Sequence, residues 1–243
     1  MAHWYLPPSL RRFAPRRIQA GPWMRHLALE YDLVTELAPQ LFADVGAGNG
    51  VSFYAYCQAL DDAGAEGIGY AFDNFPASGA EPPPPNDLEE VRAHGRQHHP
   101  ARAYVVAEDP RGSIRHFDPE TADLVRVDLS RNELASAELV LAWAARLRPG
   151  GLLVLAGATT AAAAGAIEAL RRPLELLVFE GAQGIALHRS PGAAATRGPL
   201  SDLLFSEGRA AQVDEFYAHV HAHLSLCRRV AKLGELVRGR AGA

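Results

Sequence analysis

The sequence contains little cysteine and no long hydrophobic segment. Its two cysteines, Cys57 and Cys227, are too few for a disulfide framework or a structural zinc site. No stretch approaches the roughly 18 unbroken apolar residues of a membrane-spanning helix. The N-terminal segment lacks the apolar central run of a secretory signal. We therefore expect a soluble protein that is reduced and cytoplasmic.

Neither sign of charge is in large excess. The 24 lysines and arginines face 28 acidic residues, and the net charge of −4 gives no global attraction to nucleic acid or anionic membranes. Hydrophobic residues make up 48% of the 243 residues, which argues against disorder. A chain of this length can form a hydrophobic core without disulfides or structural metals. The composition indicates one large domain, or one domain with appended segments.

Apolar runs alternate with segments of helical character along most of the chain. Strands are predicted at residues 41–45, 67–73, 103–109, 122–129 and 152–157. Helices are predicted at residues 22–37, 51–60, 87–98, 133–147 and 158–172, and a closing strand pair at 174–190. This alternation is typical of βαβ units, so we expect a doubly wound, mostly parallel sheet with helices on both faces.

The two ends of the chain differ from this alternating region. Residues 1–20 read as an irregular basic arm, and residues 191–199 read as a linker. Beyond the linker, residues 209–238 form an amphipathic helix with a narrow apolar stripe. The stripe can pack on its own domain or pair with a second chain, and the linker favours a homodimer. The predicted parts are an arm and helix (1–40), a sheet domain (41–190), and a linker with the C-terminal helix (191–243).

The turn after the first predicted strand has the composition of a ligand-binding loop. Ligands of open parallel sheets lie beyond the carboxyl ends of the strands, where Gly46 and Gly48 let the backbone approach closely. The helix that follows offers N–H groups at its start. Val51 stands where the dinucleotide fingerprint needs its last glycine, which disfavours a nicotinamide-dependent oxidoreductase. The acid before the turn, Asp44, is a feature of another class.

That class is the S-adenosylmethionine-dependent methyltransferases. Residues 41–157 resemble them in the glycine turn after Asp44, in Asp73 at the end of the second strand, and in the segment LRPGGLLVLAG at the fifth strand. The resemblance implies a Rossmann-like fold, methyl transfer, and S-adenosylmethionine as cofactor. It also implies that the glycine turn holds the amino-acid part of the cofactor and that Asp73 holds the ribose, because one carboxylate can accept from two vicinal hydroxyls.

The same resemblance assigns further residues position by position. The residues that end the third strand flank the adenine, and Asp128 after the fourth strand lies nearest the reacting methyl group. The implied cofactor-binding residues are Asp44, Gly46, Ala47, Gly48, Asn49, Gly50, Ser52, Asp73, Asn74, Ala107, Glu108, Asp109 and Asp128.

A narrower resemblance involves a bacterial subfamily associated with glycosyltransferases of surface polysaccharide. Its members begin a helix with Trp-x-x-His, as Trp23 and His26 do here, and they continue the glycine turn with Val-Ser-x-x-Ala-x-Cys. The residues that match the second pattern are Val51, Ser52, Ala55 and Cys57. The resemblance implies O-methylation of a sugar or another small polar acceptor.

Two positions depart from that subfamily. It has Ile-Asp-Gly-x-His after the fourth strand and His-Asp at the end of the fifth, whereas this chain has Val-Asp-Leu-Ser-Arg at 127–131 and Ala-Gly at 156–157. A divalent cation needs several convergent ligands, and Asp128 alone is left, so no metal site is predicted. Two interpretations stay open. One is a metal-independent enzyme with Asp128 or His26 as proton acceptor; the other is a catalytically silent binding or assembly module that dimerises through its C-terminal helix.

Overall fold

The computed structural model describes residues 6–18, 22–75, 87–192, 198–205 and 209–241. The middle of the predicted linker, residues 193–197, lies outside these ranges. The strands are β1 (Leu41–Val45), β2 (Ile68–Asp73), β3 (Ala103–Ala107), β4 (Ala122–Asp128), β5 (Leu147–Ala156), β6 (Leu177–Phe179) and β7 (Ile185–Arg189). The helices are α1 (Pro8–Arg12), α2 (Leu27–Leu37), α3 (Val51–Ala63), α4 (Leu88–His98), α5 (Ala137–Ala144), α6 (Ala164–Leu170), α7 (Pro199–Leu204) and α8 (Ala210–Ala241), with short 3-10 helices at Pro22–Arg25 and Ser113–His116.

The strands form one sheet in the order β3-β2-β1-β4-β5-β7-β6. Strands β1 to β5 are parallel, and β7 runs antiparallel to both β5 and β6. The chain winds outward from β1 through β2 to β3, then returns to the other side of β1 as β4. Ligands of such sheets bind where the order reverses, at the carboxyl ends of β1 and β4. The predicted fold class, a Rossmann-like doubly wound sheet, is confirmed.

Helices cover both faces of the sheet because neighbouring strand residues point to opposite sides. Phe42 of β1 and Leu124 of β4 pack in one core with α2 and α3. Ala43 and Val125, the next residues along, pack in the other core with α5 and α6. The unbroken apolar character of β1 and β4 follows from this burial on both faces.

The fifth strand begins earlier than predicted, at Leu147 rather than Leu152. The helix predicted over 133–147 is confined to α5. Ala122 of β4 pairs with Leu147 and Leu124 pairs with Leu152, so the register shifts between the two pairs. Because of this irregularity, the Pro-Gly-Gly segment belongs to β5. The sequence predicted only that this segment ends the preceding helix.

The N-terminal arm contains a helix, so the expectation of an irregular segment is wrong for Pro8–Arg12. Proline is well placed in a first helical turn, where its missing N–H leaves no bond unmade. Ser9 is buried, and its N–H and hydroxyl donate to the Asp32 carboxylate of α2 at 2.7 and 2.6 Å. The helix is therefore hydrogen-bonded to a residue 23 positions further along the chain.

The described part of α8 packs on its own domain. Val213, Tyr217 and Val220 are buried in the core that includes α2 and one face of the sheet. Glu36 of α2 accepts two N–H bonds from α7, each 2.8 Å long, which fixes the segment before α8. Pairing of α8 with a second chain and the division of the chain at residues 40 and 190 stay predictions. No helix in the part of the chain that the structure describes has the length and apolar character needed to cross a membrane.

Candidate functional site

The glycine turn joins β1 to α3 at the point where the strand order reverses. The N–H groups of Gly46 and Ala47 both donate to the carbonyl of Phe72, at 2.9 and 3.2 Å, so the turn is tied to β2. Gly46 and Gly48 have left-handed φ angles of 82° and 55°. A Cβ on Gly46 would lie 2.6 Å from Leu134, whereas a Cβ on Gly48 would meet no described atom within 4 Å. The left-handed φ together with the close Leu134 side chain favours a glycine at 46, and a ligand can approach the backbone at 48.

A pocket of about 110 Å³ lies beside this turn. Six of the predicted site residues line it: Gly46, Ala47, Gly48, Asn49, Ser52 and Asp128. The other four lining residues were not among the predicted site residues: Arg126, Ala156, Gly157 and Gln183. The pocket thus combines the N-terminal end of α3 with the carboxyl ends of β4 and β5.

Asp44 lies beneath the turn and is fully buried. Its Oδ2 accepts a hydrogen bond from the Ser52 hydroxyl at 2.7 Å, and its Oδ1 accepts one from Arg126 Nη1 at 3.1 Å. Burial raises the pKa of Asp44, while the Arg126 charge and the Ser52 hydrogen bond act in the opposite direction. Asp44 therefore positions Ser52 and Arg126 at the pocket rather than lining it.

Arg126 connects two buried carboxylates. Its Nε donates to Glu30 Oε2 at 3.1 Å, and the Tyr56 hydroxyl donates to the same oxygen at 2.5 Å. With Asp44, these groups place one guanidinium between two acids in the interior next to the pocket. Arginine is rarely buried unless it is paired, so its position in the middle of the apolar segment ADLVRVDL was the signal that could have revealed it.

Asp73 ends β2 and faces the glycine turn. Its Oδ2 accepts a hydrogen bond from Gly48 N at 2.6 Å and another from Arg131 Nη1 at 2.5 Å. Arg131 comes from the segment after β4, and its other guanidinium nitrogens contact Glu133. The structure thus brings together the predicted ribose acid and the predicted turn, and it adds an arginine to them.

Asp128 lies at the end of β4 and lines the pocket. Its Oδ1 accepts hydrogen bonds from the backbone N–H and the hydroxyl of Ser130, at 3.0 and 2.7 Å. Both bonds fall on one carboxylate oxygen. This arrangement fixes the orientation of the carboxylate next to the glycine turn.

Ala107 and Glu108 lie at the same edge of the sheet as Asp73. Ala107 pairs with Asp73 in the sheet register, and Glu108 N donates to the Asp73 carbonyl at 3.1 Å. The Glu108 carboxylate accepts from His116 Nε2 at 2.8 Å, and Arg115 Nη1 lies 2.9 Å from its other oxygen as an ion pair. These two residues neighbour the predicted ribose acid but do not line the pocket.

Asn74 and Asp109, two further predicted cofactor residues, lie beside this edge. Asn74 follows Asp73 and is exposed. The Asp109 carboxylate binds the Arg111 side chain through both oxygens, and these hydrogen bonds lower its pKa. Asp109 therefore closes its own loop rather than reaching the pocket.

His26 lies outside the pocket, at the start of α2. It is buried, and its Nε2 donates to the Gly181 carbonyl at 2.6 Å. Burial lowers the pKa of His26, and the hydrogen bond to Gly181 partly opposes that shift. Gly181 begins the turn that carries Gln183 to the pocket. The structure therefore gives His26 a contact that supports a pocket wall and does not bring it to Asp128.

Comparison with known proteins agrees with this geometry. Residues 43–156, which include the glycine turn, Asp73 and Asp128, match a family described as a methyltransferase domain. The match supports an enzyme that transfers a methyl group and uses S-adenosylmethionine as its cofactor. No curated protein matches the sequence.

Solved structures share this fold at low sequence identity. A methyltransferase from Geobacter sulfurreducens is 17% identical, with a TM-score of 0.53 over 73% of this chain and 92% of that one. A putative caffeoyl-CoA O-methyltransferase from Staphylococcus aureus is 10% identical, with a TM-score of 0.52 over 68% of this chain and 82% of that one. A Podospora anserina methyltransferase bound to S-adenosylhomocysteine is 12% identical, with a TM-score of 0.52 over 69% of this chain and 78% of that one.

Proposed function

We propose that this protein methylates a hydroxyl group of a small polar acceptor, such as a sugar, without a metal ion. The observation that carries the proposal is the hydrogen bond from Gly48 to Asp73 beside the pocket that Asp128 lines. S-adenosylmethionine, when bound, supplies a methyl group on a positively charged sulfur, so its carbon is already activated. The chain then has to align the acceptor and, for a hydroxyl, accept a proton.

The turn between β1 and α3 fits the amino-acid part of the cofactor. Its backbone is open at Gly48, and the first N–H groups of α3 adjoin the pocket. The Asp73 carboxylate is hydrogen-bonded to this turn, at the place where the ribose hydroxyls would follow. Ala107 and Glu108 lie next to Asp73 and would flank the adenine. Together these residues would hold the three parts of S-adenosylmethionine in the order in which they are joined.

Asp128 would accept the proton of the acceptor hydroxyl. It contributes the carboxylate among the residues that line the pocket, and Ser130 holds one of its oxygens in place. A general base has to lie within hydrogen-bond reach of the proton it takes, which favours Asp128 over His26. His26 donates its Nε2 proton to the Gly181 carbonyl and would support the wall of the pocket instead.

The donor set at the pocket supports chemistry without a metal ion. Its polar side chains are one carboxylate, one guanidinium, one hydroxyl and two amides: Asp128, Arg126, Ser52, Asn49 and Gln183. Hard divalent cations take six or more oxygen ligands, and a neighbouring guanidinium opposes their charge. Across the described ranges, no three His, Cys, Asp or Glu side chains are arranged to hold a metal ion.

Binding of S-adenosylhomocysteine tests the assignment of the cofactor residues. Calorimetry should detect binding to the unaltered protein, and Asp73→Ala should weaken it by at least about 1–2 kcal/mol, because charged hydrogen bonds to the ribose are lost. Asp118→Ala, which removes an exposed acid outside the site, should leave the affinity unchanged. Absence of binding to the unaltered protein at millimolar ligand would overturn the proposal.

Turnover is tested with S-adenosylmethionine and a panel of sugars. Formation of S-adenosylhomocysteine that depends on both the sugar and Asp128 would support O-methylation. A protein that binds S-adenosylhomocysteine but methylates nothing in the panel would instead be the silent binding module.

A further inference from the structure

Arg131 engages the carboxylate that the proposed function assigns to the ribose. Its Nη1 lies 2.5 Å from Asp73 Oδ2, the same oxygen that accepts the Gly48 N–H at 2.6 Å. Two vicinal hydroxyls need acceptor positions on this one carboxylate. An oxygen that already binds an N–H and a guanidinium has little capacity left for a ribose hydroxyl. A vicinal diol that places one hydroxyl on each carboxylate oxygen needs Oδ2 as well as Oδ1, so one ribose hydroxyl and the ion pair require the same oxygen.

A second acid gives the guanidinium an alternative position. Arg131 Nε and Nη2 lie 2.8 and 2.7 Å from Glu133 Oε1. The Arg131 side chain is about a quarter exposed, and Glu133 is more exposed still. Because Glu133 holds the guanidinium through two nitrogens, Nη1 can leave Asp73 without stranding the charge. Asp73 is almost fully buried, so the pair also neutralises a carboxylate that has little contact with water.

We propose that Arg131 and the cofactor ribose compete for Asp73, and that Glu133 retains the guanidinium when the ribose displaces it. The inference rests on the proposed function, since it takes Asp73 as the ribose acid. Arg131 is then a determinant of cofactor affinity. Breaking the Arg131–Asp73 ion pair costs free energy, which a bound ligand offsets by hydrogen-bonding its hydroxyl groups to Asp73. Glu133 lowers this cost because it keeps a partner for the guanidinium.

The competition predicts opposite effects of two neutralising variants on S-adenosylhomocysteine binding. Arg131→Gln frees Asp73 and should tighten binding by about fivefold, the scale of a partly exposed ion pair. Glu133→Gln leaves Asp73 as the remaining partner and should weaken binding. S-adenosylhomocysteine carries one positive and one negative group, so a general change in protein charge should affect it little. Arg171→Gln, which removes a cation from the exposed pair with Glu168, is the matched control.

A double-mutant cycle shows whether the effect passes through Asp73. In an Asp73→Asn background the carboxylate charge is absent, so adding Arg131→Gln should leave the affinity unchanged. Thermal unfolding of each variant checks that it is folded.

The outcomes separate this inference from the proposed function. If the unaltered protein binds S-adenosylhomocysteine and Arg131→Gln binds it equally or more weakly, the competition is overturned while the proposed function stands. An equal effect of Arg131→Gln with and without Asp73 would also overturn it. If the unaltered protein binds no S-adenosylhomocysteine, both fail.

Discussion

Arg126 shows how a single residue connects the stability of this protein to its site. The guanidinium is buried between Glu30 and Asp44 and also lines the pocket. Removing ions from water is costly, so a buried pair contributes little net stability, but breaking it strands the remaining charges. The arrangement therefore makes Asp44 dependent on a residue of a neighbouring strand.

We expect Arg126→Met to destabilise the protein strongly. Methionine fills much of the same space but leaves the Glu30 and Asp44 carboxylates buried without their cation, which should cost about 3–5 kcal/mol. Urea unfolding followed by circular dichroism measures this loss.

Two further variants test whether the loss in Arg126→Met comes from the stranded carboxylates. Arg171→Met removes an exposed arginine and should change the free energy of unfolding by less than about 0.5 kcal/mol. Adding Glu30→Gln to Arg126→Met should restore part of the loss, because one stranded carboxylate becomes neutral. A loss of less than about 1 kcal/mol in the free energy of unfolding of Arg126→Met would contradict the role given to the pair.

At the scale of the element, the turn between β1 and α3 carries the site because it satisfies two different demands. Gly46 combines a left-handed φ with a close Leu134 side chain, and Gly48 has a left-handed φ with open space beside it. Gly64 at the end of α3 has the same two properties as Gly48, with a φ of 65° and no described atom within 4 Å of its Cβ position. The two glycines therefore differ in location and not in local geometry.

We expect Gly48→Ala and Gly64→Ala to cost similar stability but to differ in binding. Each places alanine in the left-handed region, at about 1–2 kcal/mol. The methyl group at position 48 would also enter the space beside the pocket, so S-adenosylhomocysteine binding should weaken in that variant alone. Urea unfolding and calorimetry on both proteins measure the two effects. Wild-type affinity in Gly48→Ala would show that the ligand does not approach this backbone.

At the scale of the whole molecule, Asp32 of α2 connects the helices α1 and α8 to the core. It accepts hydrogen bonds from Ser9 of α1 and from the Tyr217 hydroxyl of α8, the latter at 2.8 Å. Burial raises the pKa of Asp32 from 3.8 to about 6, although these hydrogen bonds act to lower it. The folded protein thus keeps a proton on Asp32 at pH values where the unfolded chain has lost it.

This shift predicts that stability falls as the pH rises from about 4 to about 6. The folded state binds more protons than the unfolded state over that interval, so Asp32 contributes most at low pH and loses its contribution as the pH passes its folded pKa. The loss has an upper limit of about 3 kcal/mol. Urea unfolding at pH 4.5 and pH 7 should show a smaller difference in Asp32→Asn than in the unaltered protein. Asp118→Asn serves as the control, and an unchanged pH profile in Asp32→Asn would contradict the assignment.

The sequence by itself determined the order of strands and helices, the fold class and the position of the glycine turn. These features follow from hydrophobic periodicity and from glycine, which act over a few neighbouring residues. The rule that parallel strands end at one edge then placed Gly48, Asp73 and Asp128 together. Local patterns were weaker at the element ends, as the early start of β5 at Leu147 shows.

Only the tertiary structure decided which charges meet. Arg126 pairs with a glutamate 96 residues earlier in the chain, and Arg131 reaches an aspartate 58 residues earlier. Ser9 of α1 likewise donates to Asp32, which lies 23 residues later in the chain. Such pairs depend on how the elements pack in space. The residues next to a charged side chain in the sequence do not indicate which distant residue will pair with it.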